Sequence, residues 1–139
     1  MSLLVLPAAV NSFLSQPNAA VIGCVRPDGF PMTVVTWYDW EGGRFLVNMN
    51  AIRSRLGWIR LNPKVSLTVL DDDWGRHVSV WGQVVEIKED RELADIDRLS
   101  RRYTGNPFED RISKRVSAWI EPRGWHGWDM SGELASPHP

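Results

Sequence analysis

The sequence predicts a mainly β protein, a six-stranded antiparallel barrel with flanking helices. Short apolar or alternating runs recur along the chain, and most are separated by tight turns rich in glycine, proline and aspartate. Few stretches have helical spacing, and they lie at the edges and in one crossover. This order favours an antiparallel sheet that curls on itself. The 139 residues are predicted to form one domain over 1–128, followed by a loose tail over 129–139.

The composition is that of an ordinary globular protein. The formal net charge is −1 and 43% of the residues are hydrophobic, which argues against a dedicated nucleic-acid binder. No apolar run is as long as a membrane span, and the first ten residues lack the charged start of a secretory signal. We therefore expect a cytoplasmic protein without nucleic-acid or membrane partners. The single cysteine, Cys24, excludes a disulfide framework and is expected to be a small buried residue.

The first half of the chain is predicted to contain one helix and three strands. Pro7 suits the start of a helix that continues to Gln16. The strands are expected over residues 19–26, 31–39 and 44–50, and the turns between them predict an antiparallel meander. The first strand is almost wholly apolar, which is typical of a strand covered on both faces.

The second half is predicted to contain three strands and the longest helix. The strands are expected over residues 64–70, 77–87 and 115–121, and Gly82 predicts a bulge in the second of these. Between the last two, residues 90–103 have a helical apolar stripe with acids at the start and arginines at the end. Gly105 is placed to end this helix.

Hydrolytic and metal-binding patterns do not assemble, so no catalytic residue or metal site is assigned. Residues 71–75 contain three aspartates, but a calcium loop needs alternate acids and a later glutamate, which favours a solvated turn. The histidines, His77, His126 and His138, are scattered along the chain. We interpret them as surface or packing residues, although His126 lies in an aromatic cluster.

Residues 44–63, a strand that leads into a helix, form the candidate site. Arg53, Arg55 and Arg60 occupy the helical part, which has no acidic residue. Free N–H groups at a helix start and nearby guanidinium groups can bind an anion; a solvated basic face is the alternative. A planar cofactor with a phosphate would fit the first interpretation, with hydrogen bonds from the polar side chains of Thr33, Thr36, Asn48 and Asn50. The eight tryptophans suit a core, a subunit interface or a planar ligand.

The ordered set of elements resembles the pyridoxamine 5'-phosphate oxidase-like split β-barrel proteins, particularly the small branch that uses the deazaflavin coenzyme F420. The matching segments are PDGFPMTVVTWYDWEGG, FLVNMNAIRSRLGWIRLNPKVSLTVLDDD, VSVWGQVVEI, LSRRYTG and RVSAWIEPRGWHGW. The family usually has an arginine, a lysine two residues later, an asparagine, and then Asn-Pro or Asp-Pro. This chain has Arg53, Arg55 in place of the lysine, Trp58 in place of the asparagine, and then Asn62-Pro63.

The resemblance implies a split barrel of the FMN-binding type and a homodimer with two cofactors between the subunits. Its implied site residues are Arg53 and Arg55 on the phosphate, Asn48, Met49 and Asn50 at the strand end, Pro31, Thr33, Val34 and Thr36 along the ring, and Trp58. The implied activity is hydride transfer from reduced F420 to a small conjugated substrate. An FMN-dependent oxidase or reductase is one alternative, and a non-catalytic flavin- or ligand-binding protein is another.

Overall fold

Residues 4–134 of the computed structural model form one seven-stranded antiparallel sheet and three helices. The helices are α1 (Ala8–Ser15), α2 (Ser54–Leu61) and α3 (Ala94–Thr104). The strands are β1 (Ala19–Val25), β2 (Pro31–Thr36), β3 (Asp39–Glu41), β4 (Arg44–Asn50), β5 (Lys64–Leu70), β6 (His77–Glu89) and β7 (Arg115–Trp128). No helix in this part of the chain is long and apolar enough to span a membrane.

The sheet curls around a single hydrophobic core. The strand order is β2-β1-β5-β6-β7-β4-β3, so three strands separate β1 from β4. Nevertheless Ile22 of β1 and Val47 of β4 belong to the same buried cluster, which is possible only if the sheet bends back on itself. Helix α1 adds Phe13 and Leu14 to this core. The architecture is the predicted split β-barrel.

The prediction of a meander from the first three strands is correct for its first pair, β1 with β2, and wrong for its second pair, β2 with β4. Strand β2 pairs only with β1, at one edge of the sheet, whereas β4 pairs with β3 and β7 near the other edge. Two residues, Trp37 and Tyr38, join β2 to β3. Because this link is so short, the two edges of the sheet must lie close together at this end of the barrel.

Several element boundaries also differ from the prediction. Residues 39–41 form the extra strand β3, which pairs with β4 around the Gly42-Gly43 turn, so the sheet has seven strands instead of six. In β1 only alternate residues are buried, so this strand is covered on one face rather than two. The last strand continues beyond Glu121 to Trp128 because β6 is long enough to pair with it throughout.

The predicted bulge at Gly82 is confirmed. The register between β6 and β7 shifts between Trp81 and Gly82, and a Cβ atom at Gly82 would collide with the carbonyl oxygen of Glu121. On the facing strand, a Cβ atom at Gly124 would overlap the Trp81 ring. These two glycines therefore allow β6 and β7 to approach each other closely where the sheet bends.

Helix α3 begins four residues later than predicted because Asp90 acts before the helix rather than within it. The buried Asp90 carboxylate accepts hydrogen bonds from the N–H groups of Asp95 (3.1 Å) and Ile96 (2.9 Å), which satisfies donors of the first turn. Leu93, just before the helix, has a left-handed conformation with φ 60°. Gly105, with φ 80°, ends the helix as predicted.

The segment after β7 is partly packed, so the predicted loose tail begins too early at residue 129. Asp129 is buried, and Leu134 is only 2% exposed within the hydrophobic core. The Asp129 carboxylate accepts hydrogen bonds from the Ser131 hydroxyl (3.0 Å) and the Leu134 N–H (3.3 Å). The rest of the predicted tail, residues 135–139 with His138, lies outside the described residues.

Arg102 of α3 forms hydrogen bonds both to the end of α1 and to the Trp37-Tyr38 link between β2 and β3. Its guanidinium donates hydrogen bonds to the carbonyl oxygens of Ser15 (2.9 Å), Gln16 (2.8 Å) and Tyr38 (3.0 Å). The Tyr38 hydroxyl lies 2.8 Å from the carbonyl oxygen of Leu14 and 2.9 Å from that of Gln16, so its one proton is shared between these two acceptors. Carbonyl groups at the end of α1 thereby obtain donors that the helix itself cannot supply.

Replacing Arg102 with lysine is expected to lower the free energy of unfolding by about 2–4 kcal/mol. An ammonium group cannot reproduce the planar fork, and hydrogen bonds to charged groups contribute roughly 1.5–3 kcal/mol each. Urea denaturation measures the change, and Arg101→Lys, at an exposed position of the same helix, is the control. Equal stability of the two variants would contradict the role of Arg102.

Candidate functional site

A cavity of about 290 Å³ lies between strand β2 and the start of helix α2. Its lining residues are Cys24, Met32, Thr33, Val34, Arg53, Ser54, Arg55 and Trp58. Five of the ten predicted site residues are therefore brought together here, namely Thr33, Val34, Arg53, Arg55 and Trp58. The strand part and the helix part of the prediction form opposite walls of one cavity.

The turn after β4 directs the basic end of α2 towards this cavity. The Asn50 side-chain oxygen accepts a hydrogen bond from the Ile52 N–H (3.1 Å), and its backbone carbonyl accepts one from the Arg53 N–H (3.0 Å). Arg53 is extended at the N-cap and makes no side-chain cap, and the first turn has no acidic residue. The positive end of the helix dipole therefore lies beside Arg53 and Arg55 without a compensating acid from its own first turn.

Arg55 has a buried donor without an acceptor. Its Nε atom is the one buried side-chain nitrogen or oxygen among residues 4–134 for which no hydrogen-bond partner is found. Burial lowers the pKa of Arg55, and the neighbouring Arg53 adds to this effect. An unsatisfied buried donor costs roughly 1–3 kcal/mol, so such groups are uncommon in folded proteins and call for an explanation.

The other walls of the cavity are aromatic and apolar. Trp58 is half-buried, and the Arg26 guanidinium lies 5.8 Å from its ring centroid. Cys24 is buried as predicted and pairs with Met32 across the β1–β2 ladder. Burial raises the pKa of the Cys24 thiol, although the nearby Arg55 opposes this shift. A flat ring could rest on these walls while an anionic group meets the arginines.

Met49 and Asn50 are not among the residues that line this cavity. The Met49 side chain is 2% exposed and belongs to the hydrophobic core, because inward-facing residues of β4 fill the barrel. Asn50 stabilises the turn before α2, as described above. Pro31, at the start of β2, is exposed and pairs with Val25. It likewise falls outside the lining of the cavity.

Asn48 belongs to a buried polar network rather than to the wall of the first cavity. Its amide nitrogen donates hydrogen bonds to Asp90 (3.1 Å) and to Ser117 (3.0 Å). Its amide oxygen accepts a hydrogen bond from Nε of Arg115 (2.9 Å), and Ser117 donates to Asp95 (2.7 Å). This network connects β4, β7 and the start of α3, so it fixes the position of Arg115.

A second cavity, of about 240 Å³, contains Thr36 and Asn48. Its remaining lining residues are Val35, Trp37, Ile96, Leu99, Phe108 and Arg115. The Trp37 ring stacks on Tyr103 with centroids 5.5 Å apart and meets Phe108 edge-on at 6.3 Å. The predicted site residues are thus divided between two cavities on consecutive positions of β2, with Val34 in the first and Val35 in the second.

The aspartate-rich loop over residues 71–75 and the histidines His77 and His126 do not line either cavity. Asp71 forms an ion pair with Arg76 (3.0 Å), and Asp73 accepts a hydrogen bond from the Gly75 N–H (2.8 Å), which stabilises a turn. His77 lies close to His126 and Trp128, with centroid distances of 6.1 and 6.2 Å. No group of three or more histidine, cysteine or acidic residues arranged for a metal ion occurs within residues 4–134.

The sequence interpretation did not assign Cys24, Met32, Ser54 or Arg115 to a site. Met32 lies on the same face of β2 as Val34, so the alternation of the strand could have identified it. Ser54 lies between the two arginines. Arg115 is the register partner of Asn50, and this proximity depends on the pairing of β4 with β7, for which the sequence carries no local signal.

Comparison with known proteins supports the resemblance. The family model described as pyridoxamine 5'-phosphate oxidase matches residues 6–129. The pyridoxine/pyridoxamine 5'-phosphate oxidase of Bacteroides thetaiotaomicron is 25% identical over 118 residues, which cover 84% of this chain and 52% of that protein. The chain therefore spans about half the length of this curated relative.

Solved structures show the same architecture. A protein described as an F420 reductase superimposes with a TM-score of 0.79 and 28% identity, covering 86% of this chain and 98% of that one. A pyridoxamine 5'-phosphate oxidase-related, FMN-binding protein of Nostoc punctiforme gives a TM-score of 0.69 over 96% of this chain and 89% of its own. At 13% identity, the second likeness shows the fold alone.

Replacing Arg55 with methionine is expected to raise the free energy of unfolding by about 1 kcal/mol. The substitution removes an unsatisfied buried donor, which is costly, and keeps a long side chain of similar helix propensity. Urea denaturation without added ligand measures the change. Arg53→Met, at an exposed position, is the matched control and should leave stability within about 0.5 kcal/mol. A loss of stability specific to Arg55→Met would show that its guanidinium supports the fold.

Proposed function

Because the chain belongs to the pyridoxamine 5'-phosphate oxidase family, whose members include flavin-type oxidoreductases, we propose that it is an oxidoreductase that uses a phosphate-bearing flavin or deazaflavin. The observation that carries this proposal is the buried, unpartnered Nε of Arg55 beside Arg53 at the start of α2. A phosphate oxygen would provide the acceptor that this donor lacks. The proposal thus explains why an unsatisfied group is retained.

The residues of the first cavity suit the parts of such a cofactor. Arg53, Arg55 and the N–H groups at the start of α2 would hold the phosphate through charge-assisted hydrogen bonds. Thr33 and Val34 would lie along the ring, and Trp58 would close the far side. When bound, the cofactor supplies the hydride-transfer chemistry. The protein's part is to orient the ring and exclude water from it.

We favour coenzyme F420 as the cofactor and a small conjugated molecule as the hydride acceptor. The F420 reductase is similar in both sequence and length, whereas the curated oxidase is about twice as long as the matched region. FMN is the alternative, supported by the description of the related Nostoc protein as FMN-binding. A protein that binds either group without turnover would be a carrier or sensor of the same fold.

We further propose that two copies form a homodimer across strand β2, with the cofactor between the subunits. The first five residues of β2 are exposed, and Val35 is 73% exposed, as is Phe30 (67%) in the preceding turn. Strand β2 is also an edge strand with one unpaired side. Apolar side chains along an open edge are a surface that a partner commonly covers.

Replacing Arg53 and Arg55 together with alanine is expected to weaken cofactor binding by roughly 3–6 kcal/mol, since two charge-assisted hydrogen bonds at roughly 1.5–3 kcal/mol each would be lost. Titrations with F420 and with FMN, followed by cofactor and tryptophan fluorescence, measure the effect. Arg60→Ala, an exposed arginine of the same helix, is the control and should bind normally. Normal binding by the double variant would contradict the phosphate site and favour the alternative interpretation, in which α2 has a solvated basic face.

The homodimer proposal predicts that Val35→Lys shifts the protein from dimer to monomer, because a charge would replace an apolar contact at the subunit boundary. Sedimentation velocity at matched protein concentration measures the mass. Ile112→Lys is the control, since Ile112 is 94% exposed but lies on the α3–β7 connector. A wild-type chain that sediments as a monomer would rule the homodimer out.

A further inference from the structure

The second cavity has features that cofactor binding does not use. Most of its lining residues are apolar or aromatic, and among the described residues that line it Arg115 alone is charged. Its volume of about 240 Å³ corresponds to roughly eight water molecules, since liquid water occupies about 30 Å³ per molecule. A one-ring organic acid is of a size that suits such a space.

Arg115 is held in place but has unused hydrogen-bond donors. Its Nε donates to the Asn48 amide oxygen (2.9 Å), and its guanidinium lies 4.9 Å from the centroid of the Phe108 ring. Asn48 is fixed in turn by Asp90 and Ser117. A guanidinium has five N–H donors, and within residues 4–134 the other four of Arg115 find no acceptor. The network therefore fixes the position of the Arg115 guanidinium group, and its terminal NH2 groups are available to a ligand.

The charged groups around Arg115 are of both signs. Burial lowers the pKa of Arg115, Asp110 and Asp90 raise it, and Arg53 and Arg55 lower it. Arg115 takes part in no ion pair among the described residues. A half-buried cation near two others is stabilised when an anion approaches it.

We propose that this cavity binds a small, planar, conjugated carboxylic acid, with Arg115 as the residue that selects the carboxylate. A planar guanidinium matches a carboxylate in a paired, two-bond geometry, and Trp37 and Phe108 offer aromatic surfaces to a flat hydrocarbon part. Val34 lines the first cavity and Val35 lines the second. Because consecutive side chains of a strand point to opposite faces, β2 separates the two cavities. Acid binding is therefore proposed in addition to the cofactor site and independently of it.

The test compares an acid with its neutral isostere. Purified full-length protein is titrated with trans-cinnamate and with cinnamamide, and tryptophan fluorescence reports binding without any turnover. Wild-type protein should bind the acid at least tenfold more tightly than the amide, and Arg115→Gln should bring this ratio close to one. Arg91→Gln, an exposed arginine whose ion pair is with Glu89, should keep the wild-type ratio.

A second variant guards against simple misfolding of Arg115→Gln. Phe108→Leu removes an aromatic wall of the cavity. It should therefore weaken the binding of the acid and of the amide to the same extent and leave the ratio of their affinities unchanged. Equal binding of acid and amide by wild-type protein, binding of neither, or an unaffected Phe108→Leu variant would overturn the proposal.

A parallel titration with F420 and FMN separates the two proposals. Cofactor binding without acid selectivity would contradict the second cavity's role alone. Acid selectivity that depends on Arg115, in a protein that binds neither cofactor, would instead contradict the proposed function.

Discussion

The two-residue link between the edge strands is the constraint on which the rest of the barrel depends. Trp37 and Tyr38 must carry the chain from β2 to β3, so the edges of a seven-stranded sheet are brought together at one end. Tyr38 is fully buried, and its hydroxyl group bonds to the end of α1. Arg102 adds a charged donor to the same carbonyl groups, so a helix, a strand link and the barrel core are fixed at one point.

This closure also places the walls of the candidate site. Strand β2 pairs with β1 alone and is exposed along most of its length, so the short link at its end limits where it can lie. The opposite wall comes from α2, whose start is set by the turn after β4. A mobile β2 would leave Arg53 and Arg55 as surface charges. A fixed β2 turns them into one side of a cavity that also contains a buried, unpartnered donor.

Local patterns in the sequence were sufficient for most elements but not for their pairing. The alternation of residues 64–70 and the glycines at 82 and 105 predicted a strand, a bulge and a helix end that the structure has. The predicted pairing of β2 with β4 was wrong because turn residues indicate where strands end but not which strands pair. For the same reason Asn48 and Met49, although they lie in the strand that leads to the basic helix, belong to the buried network and to the core, respectively. The role of Arg115 could not be predicted from the sequence, because only the pairing of β4 with β7 brings it to the second cavity.

The central claim is that the Nε–H group of Arg55 donates a hydrogen bond to the phosphate of a bound cofactor. Nuclear magnetic resonance of arginine side chains tests this claim directly. The Arg55 Nε–H signal, assigned by its absence in Arg55→Lys, is followed while F420 or FMN is added to the full-length protein. Formation of a hydrogen bond to phosphate should shift this signal strongly and slow its exchange with water. Saturating binding of either cofactor with the Arg55 signal unchanged would contradict the account.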